Sequence, residues 1–475
     1  MPARRPASQR HRPRTRPRRP RRPRRDLPAG KQRRRGRLHR KPHHHRRAAP
    51  LREPRGAFPP RIPRPTRGLA PTDGVLGHGR GLRSRRRRPT TRPRHKSRAE
   101  VAVLNHDIAI IGAGVAGLAT GWRLAQRGFD VGIFERDEPG SGASRAAAGM
   151  LAPTAEVKFG EGALLRLQRD SLARFGDFAD ELREASGVDI DYRTEGSLVV
   201  ALEPDDTERL ERIWAYQREL GLDARRLSGP AARDLEPRLA PSVHSAVLCP
   251  DDHQVDAWKL VDALTEAFTR AGGTLHTHTS VDAIARDHRR VRGLRLADTR
   301  CVEASTVVVA AGAWSGGILG VPELDKPTVR PVKGQALCLV DNDDAPLCRH
   351  VIRAPDAYLV PKNDGSIVVG ATMEERGFDA RLTAGGIFEL LRGAWRAMPG
   401  IYDLELRDTW AGFRPISLDD APLLGPSKID GLWIASGHGR HGILLSAITG
   451  DVMSEAIAAG ELPARYAAFA PTRFG

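Results

Sequence analysis

The apolar and polar positions show no regular period over the first hundred residues and acquire one abruptly near Val103. From there the β-branched run Ile108–Ile111 reads as a buried strand. Val115, Leu118, Ala119 and Trp122 then fall on one face of a helix. Val131–Phe134 is a second apolar strand, and it ends in Glu135. Farther on, helical periodicity predicts one long amphipathic helix over 161–186, carried by Leu164, Leu165, Leu167, Leu172, Phe175, Phe178 and Leu182. It predicts further helices over 206–220, 255–272 and 384–398. Apolar runs predict strands over 196–202, 291–296, 301–309, 410–416 and 432–435, and a strand pair over 274–284. Alternation over 329–339, 358–361 and 366–371 predicts an antiparallel sheet. The segment 437–450 reads as a glycine-rich loop running into a helix.

Between the first strand and the first helix stand Gly112, Gly114 and Gly117, in G-x-G-x-x-G spacing. Gly112 permits a tight turn, Gly114 lets a pyrophosphate approach the backbone, and Gly117 lets helix and strand pack closely. The helix start offers free N–H groups and a partial positive charge to phosphates. Glu135 is placed to accept hydrogen bonds from ribose hydroxyls. A lone glycine motif is weak evidence, but strand, turn, helix, second strand and acid together make a dinucleotide site. Small residues return at Pro139 to Pro153, where Ser144 can donate to a phosphate or ribityl oxygen. They return again at Ala310-Ala-Gly312-Ala-Trp314, a second place for backbone to meet a cofactor. The nucleotide-binding elements therefore lie at the beginning, middle and end of the chain, with sheet-rich stretches inserted between them. Such a discontinuous arrangement places a ligand pocket at the domain boundary.

Charge divides the chain in the same way. Residues 1–100 hold 36 of the 77 Lys and Arg but only 4 of the 57 Asp and Glu, so the remainder is net acidic despite an overall +20. That excludes a nucleic-acid reading of the body from overall charge. Residues 1–103, rich in Arg, Pro, Gly and His, cannot bury enough apolar surface to offset their ordering entropy. They read as a disordered basic arm or, more simply, as a start-site error. Cys249, Cys301, Cys338 and Cys348 show no metal or redox spacing and are expected as buried free thiols, which fits a cytoplasmic setting. No apolar run reaches the roughly 20 residues of a spanning helix, the longest being Ile108 to Trp122, so no membrane partner is expected.

Several motifs together carry a family likeness. They are Ile111-Gly-Ala-Gly-Val-Ala-Gly117, Ser141-Gly-Ala-Ser-Arg-Ala-Ala-Ala-Gly-Met-Leu-Ala-Pro153, Tyr358-Leu-Val-Pro-Lys362, Val369-Gly-Ala-Thr-Met373, Trp410-Ala-Gly-Phe-Arg-Pro415 and Gly437-His-Gly-Arg-His-Gly-Ile-Leu-Leu445. From about Asp107 onward the chain resembles the D-amino-acid-oxidase superfamily of flavoproteins, and within it the glycine oxidases of the thiamine pathway. The resemblance implies an α/β protein: a discontinuous Rossmann-like FAD-binding domain over 104–160, 249–325 and 409–465. An antiparallel-sheet α+β substrate domain, over 161–248 and 326–408, is inserted into it. It implies noncovalent FAD. Val115 and Ala116 would lie at the pyrophosphate, and Glu135 and Arg136 at the adenosine ribose. Ala143 and Ser144 would follow in the next loop, with Ala148, Gly149 and Met150 lining the flavin and Val281 the adenine. His438, Gly439, Arg440, His441, Gly442, Ile443 and Leu444 would edge the isoalloxazine. Arg414 and Arg440 would grip a substrate carboxylate, with Tyr358 adding a hydroxyl and Met373 forming the pocket wall. Two positions depart from the family pattern: His441 replaces the common Asn, and Asp356 stands where a histidine occurs in relatives.

The implied activity is oxidative deamination of glycine, sarcosine or small D-amino acids with oxygen as acceptor. A D-amino-acid dehydrogenase serving a quinone is the alternative. The implied partners are a small amino acid and oxygen, in a homo-oligomer, with no metal. Arg414 sits in an apolar strand-like setting, where a charge demands a partner. That partner is either a ligand or an acid such as Asp408 or Asp419. No general base is assigned, since His438 and His441 read as cofactor packing. Lys333 is either near the flavin or a solvated strand lysine. Mass spectrometry of the protein from its native organism is expected to place the first residue near Val101 to Leu104. Peptides from residues 1–90 would refute that start.

Overall fold

A computed structural model describes residues 103–474, apart from 323–324 and 343–345. The basic segment over 1–102 lies outside the described residues. Val103, expected as the tail's last residue, instead opens the strand Val103–Asn105.

All four positions of Ile108–Ile111 are buried, because this strand is covered on both faces. Val131–Phe134 and Thr306–Val309 pair with it in parallel on either side. Thr274–His276 and Leu432–Ser436 extend the sheet in parallel, and Leu423–Pro426 closes one edge antiparallel. The two faces follow the strand's period of two. Ile108 and Ile110 meet a helical layer, while Ala109 and Ile111 meet a second apolar cluster. The helical layer contains Val115–Gln126, Ala257–Arg270 and Gly442–Ala459. The other face is covered by a four-stranded sheet of Val103–Asn105, Cys301–Glu303, Arg290–Leu296 and Val281–Asp287.

The chain leaves Ile108–Ile111 toward Val131–Phe134 on one side and comes back to its other side only at Thr306–Val309. That change of direction opens a crevice beyond the carboxyl ends of the strands, where α/β sheets bind their ligands.

The second layer is an eight-stranded sheet. Its order is Glu405–Ser417, Val329–Val340, Ser366–Gly370, Tyr358–Pro361, Val351–Arg353, Ser197–Ala201, Ser245–Cys249 and Arg225–Ser228. Its pairs are antiparallel except Val351–Arg353 beside Ser197–Ala201. The helix Ala384–Ala397 packs Leu390 and Ala394 onto Leu337, Leu359 and Val369.

Several expectations are corrected. The single helix over 161–186 is two, Gly162–Ala173 and Phe175–Ser186, breaking at Arg174 where the guanidinium reaches Asp451 at 2.8 Å. Both pack with Trp122 and Leu264 in the helical layer of the parallel sheet rather than in the substrate domain. The strand over 301–309 divides between the four-stranded and the parallel sheets, as the chain crosses the layer, while the two strands expected over 274–284 are present, one in each sheet. The boundary at 409 also moves, because Glu405–Ser417 pairs along its length with Val329–Val340. Cys301 is exposed, since its short strand presents alternate residues to solvent, while Cys249, Cys338 and Cys348 are buried free thiols.

Gly439–Ala459 is long and apolar enough to cross a membrane by length and composition, contrary to the expectation that no stretch reaches that length. Here it is a core helix. A Cβ on its Gly450 would lie 2.8 Å from the Ala119 carbonyl.

A Cβ on Gly117 would lie only 2.1 Å from the Gly112 carbonyl oxygen. Gly117→Ala is expected to push the first helix off its strand and to cost about 1–3 kcal/mol, as overpacking does. Thermal unfolding followed by circular dichroism measures this, and an unchanged melting temperature would dismiss the packing role.

Candidate active site

The crevice is a cleft of about 680 Å³ between the parallel sheet and the eight-stranded sheet, a size suited to a small-molecule ligand. At one end Gly112 has φ +102°, and a Cβ there would lie 2.7 Å from the Ala310 carbonyl. Only glycine fits that turn. Gly114 caps the first helix without a side-chain hydrogen bond of its own. Ser144 Oγ instead accepts from the Val115 N–H at 3.1 Å. The backbone at Val115 and Ala116 thus opens a helix N-terminus onto the cleft. Glu135 is oriented by two backbone donors, Ala113 N at 2.8 Å and Asp137 N at 3.1 Å. Arg136 stacks over Trp314 with its guanidinium carbon 3.8 Å from the ring centroid. Val281 completes this end.

The middle of the cleft is lined by Ala143, Ala148, Gly149, Met150 and Gly312. Gly149 has φ +86°, and a Cβ on it would lie 2.0 Å from the Val255 carbonyl. Behind it the half-buried Lys362 donates to the carbonyls of Ala148 at 2.7 Å and Val255 at 2.8 Å. Burial lowers the Lys362 pKa to about 8.

At the far end the eight-stranded sheet presents Tyr358 and Arg414 to the cleft, with Met373 at the rim and 66% exposed. Arg414 Nη1 donates to the carbonyls of Thr372 at 3.0 Å and Lys333 at 3.4 Å. Among the described residues no carboxylate pairs with it. The alternative partners lie elsewhere, Asp419 on Arg473 and Asp408 on the Thr409 N–H. Two glycines make room here. A Cβ on Gly334 would lie 2.5 Å from Arg414 Nη1, and one on Gly370 would lie 2.4 Å from the Tyr358 hydroxyl. Burial raises the Tyr358 pKa, against the opposing charge of Arg414.

The C-terminal segment supplies His438, Gly439, Arg440, Gly442 and Ile443 to the cleft wall. His438 bonds Thr449 Oγ1 at 2.9 Å, and burial lowers its pKa to about 4, so it is neutral.

Several expectations need correction. Gly117 does not line the cleft; it packs on Gly112. Leu444 is a core residue, and its carbonyl accepts from Ser171 Oγ at 2.6 Å. His441 is buried off the cleft, with Nδ1 3.4 Å from Glu156 Oε2 and its pKa lowered to about 3, chiefly by burial. Arg440 lines the cleft but is already paired: Nη2 lies 3.2 Å from Glu161 Oε2 and Nε 3.8 Å from Glu156 Oε2. It is therefore not a free carboxylate anchor like Arg414. Lys333 is buried, neither solvated nor among the residues lining the cleft, and donates to the Arg381 carbonyl at 2.6 Å.

Sequence reasoning missed Glu156 and Arg353 and gave the side chains of Trp314 and Phe413 no role, although both stand in stretches it singled out; all four line the cleft. Glu156 offered one signal, an acid directly after the long small-residue stretch.

Residues 107–456 match the family model described as FAD dependent oxidoreductase. The chain belongs to this family. It is 36% identical over 374 residues to a glycine oxidase of Geobacillus kaustophilus, covering 78% of this chain and 97% of that protein. It is 31% identical to the hydrogen cyanide synthase subunit HcnC of Pseudomonas aeruginosa, covering 78% and 96%. A crystal structure of glycine oxidase from Geobacillus kaustophilus superposes with a TM-score of 0.72 at 35% identity, over 78% of this chain and 99% of that one.

FAD is the cofactor of this family member, and the cleft fits it. A dinucleotide is long and anionic at its middle. The cleft meets it with a helix start at Gly114–Ala116 that has no cap from its own N-cap residue, glycines whose missing Cβ atoms leave room, and a carboxylate after the second strand. A second helix start, at Gly442 and Ile443, opens onto the same cleft without a side-chain cap.

Gly334→Ala is expected to displace the Arg414 guanidinium, raising KM for the amino acid while leaving FAD uptake intact. Steady-state kinetics beside the flavin absorbance ratio will show it, and an unmoved KM counts against Arg414 as anchor.

Proposed function

We propose that the chain is a glycine oxidase, converting glycine, water and oxygen into glyoxylate, ammonia and hydrogen peroxide. Sarcosine and small D-amino acids would be secondary substrates. The observation that carries this reading is Arg414, a guanidinium facing the cleft with neutral partners, two carbonyls and the Tyr358 hydroxyl, and no carboxylate among the described residues. A guanidinium fork grips a carboxylate bidentately and fixes its plane. Tyr358 adds a hydroxyl beside it, and Met373 limits the space for a side chain. FAD, when bound, supplies the hydride acceptor that no side chain can provide. The helix Gly442–Ala459 turns its positive end toward the cleft and stabilises negative charge developing there.

No side chain is assigned as general base. His438 is a weak one at a pKa of about 4 and is engaged with Thr449. The amine is therefore bound neutral, and Arg414 and Tyr358 do the orienting. Provision of the product to thiamine thiazole synthesis, in the cytoplasm, belongs to this proposal and rests on the motif resemblance and on three buried free thiols.

The purified protein with FAD is expected to release peroxide from glycine. Arg414→Ala should raise KM on the order of 100-fold, as loss of a charged hydrogen-bonded anchor does. An unaltered KM removes Arg414 from the substrate site. Slow reoxidation of the reduced enzyme by oxygen in stopped flow, with fast turnover on a quinone, would instead favour the dehydrogenase.

A further inference from the structure

We propose that Glu156, together with Glu161, restricts the substrate pocket to monocarboxylates by neutralising Arg353 and Arg440, leaving Arg414 as the available carboxylate anchor among the described residues of the pocket. This rests on the glycine oxidase reading and refines it.

Three arginines line the substrate end of the cleft: Arg353, Arg414 and Arg440. Their partners differ. Arg353 Nη1 donates to Glu156 Oε1 at 2.8 Å. Arg440 faces Glu156 Oε2, bonds the Glu156 carbonyl at 3.2 Å and pairs with Glu161 at 3.2 Å. Arg414 has the carbonyl oxygens of Thr372 and Lys333 and the Tyr358 hydroxyl, and among the described residues no carboxylate. The Glu156 side chain is 10% exposed. Burial pushes its pKa up, but the surrounding cations, Arg353 foremost, hold it below the usual carboxylate range, so it stays charged.

Glu156 is also fixed in place. Asp252 accepts from the N–H groups of Thr154 at 2.9 Å and Ala155 at 3.1 Å, while Gln217 Nε2 donates to the Thr154 carbonyl at 2.8 Å. The backbone before Glu156 is thus held on both its donor and its acceptor side. A ligand with one carboxylate meets Arg414 and is satisfied. A second carboxylate reaching toward Arg353 or Arg440 meets charges already balanced, and a fixed carboxylate beside them. Specificity then comes from a repulsive element as well as an attractive one.

The test uses the oxidised holoenzyme and two unreactive probes, acetate and malonate, titrated by the change in flavin absorbance. The intact protein should bind acetate more tightly than malonate. Glu156→Gln should shift the ratio of dissociation constants toward malonate by about tenfold or more, the scale of one unscreened close charge pair. Glu161→Gln should shift it in the same direction, by less. A purely structural role would weaken both probes equally, so an unchanged ratio in Glu156→Gln overturns the proposal. If that variant does not fold or take up FAD, an unchanged ratio in Glu161→Gln overturns it. Peroxide release from glycine and from iminodiacetate, run beside the titration, separates the two claims. Absence of turnover on glycine with the ratio still shifted defeats the substrate assignment alone.

Discussion

Everything in this molecule depends on a close approach of three backbones: the turn at Gly112, the first helix at Gly117, and the end of Thr306–Val309 at Ala310. A Cβ on either glycine would strike a carbonyl of a neighbouring segment. With no side chain between them, the helix start stands directly over the carboxyl ends of the central strands. The same contact that packs the core therefore aims the positive end of the first helix into the cleft. Stability and cofactor geometry are one constraint at this point.

The second layer solves a different problem, bringing a charge and a hydroxyl to an apolar wall. Arg414 lies opposite Val332 in the pairing of Glu405–Ser417 with Val329–Val340. Tyr358 lies opposite Gly370. Strand pairing sets these positions, and the neighbouring glycines at 334 and 370 leave the space that the two side chains fill. A sheet surface holds such groups more rigidly than loops do. The cis peptide between Gly370 and Ala371 lies at the same strand end.

Much of this was legible in the sequence because it is local. Strand, glycine turn, helix and acid follow one another within thirty residues, and each has its own period or composition. Arg414, Tyr358 and Met373 were legible through motifs and do meet at one end of the cleft. What remained hidden is long-range. Arg440 reads as a free cation until Glu156, 284 residues earlier, folds against it. Arg353 belongs to no motif, and only its pairing with the same acid, 197 positions away, brings it into the site. Charge pairing across such distances leaves no periodic trace. The break at Arg174 was hidden for a related reason. Helical phase carries through it, and the ion-pair partner of Arg174, Asp451, lies in the last helix. The layer boundaries misread at 161 and 409 follow from the same limit, since periodicity names an element without naming its sheet.

One consequence concerns synthesis on the ribosome. Leu432–Ser436 and Gly442–Ala459 emerge last, yet they lie against Thr306–Val309 and Val115–Gln126, which emerge far earlier. Until they arrive, the early strands and the first helix keep an apolar flank uncovered. A nascent chain must wait through most of its translation with that flank open, a period in which protection by a chaperone is worth most.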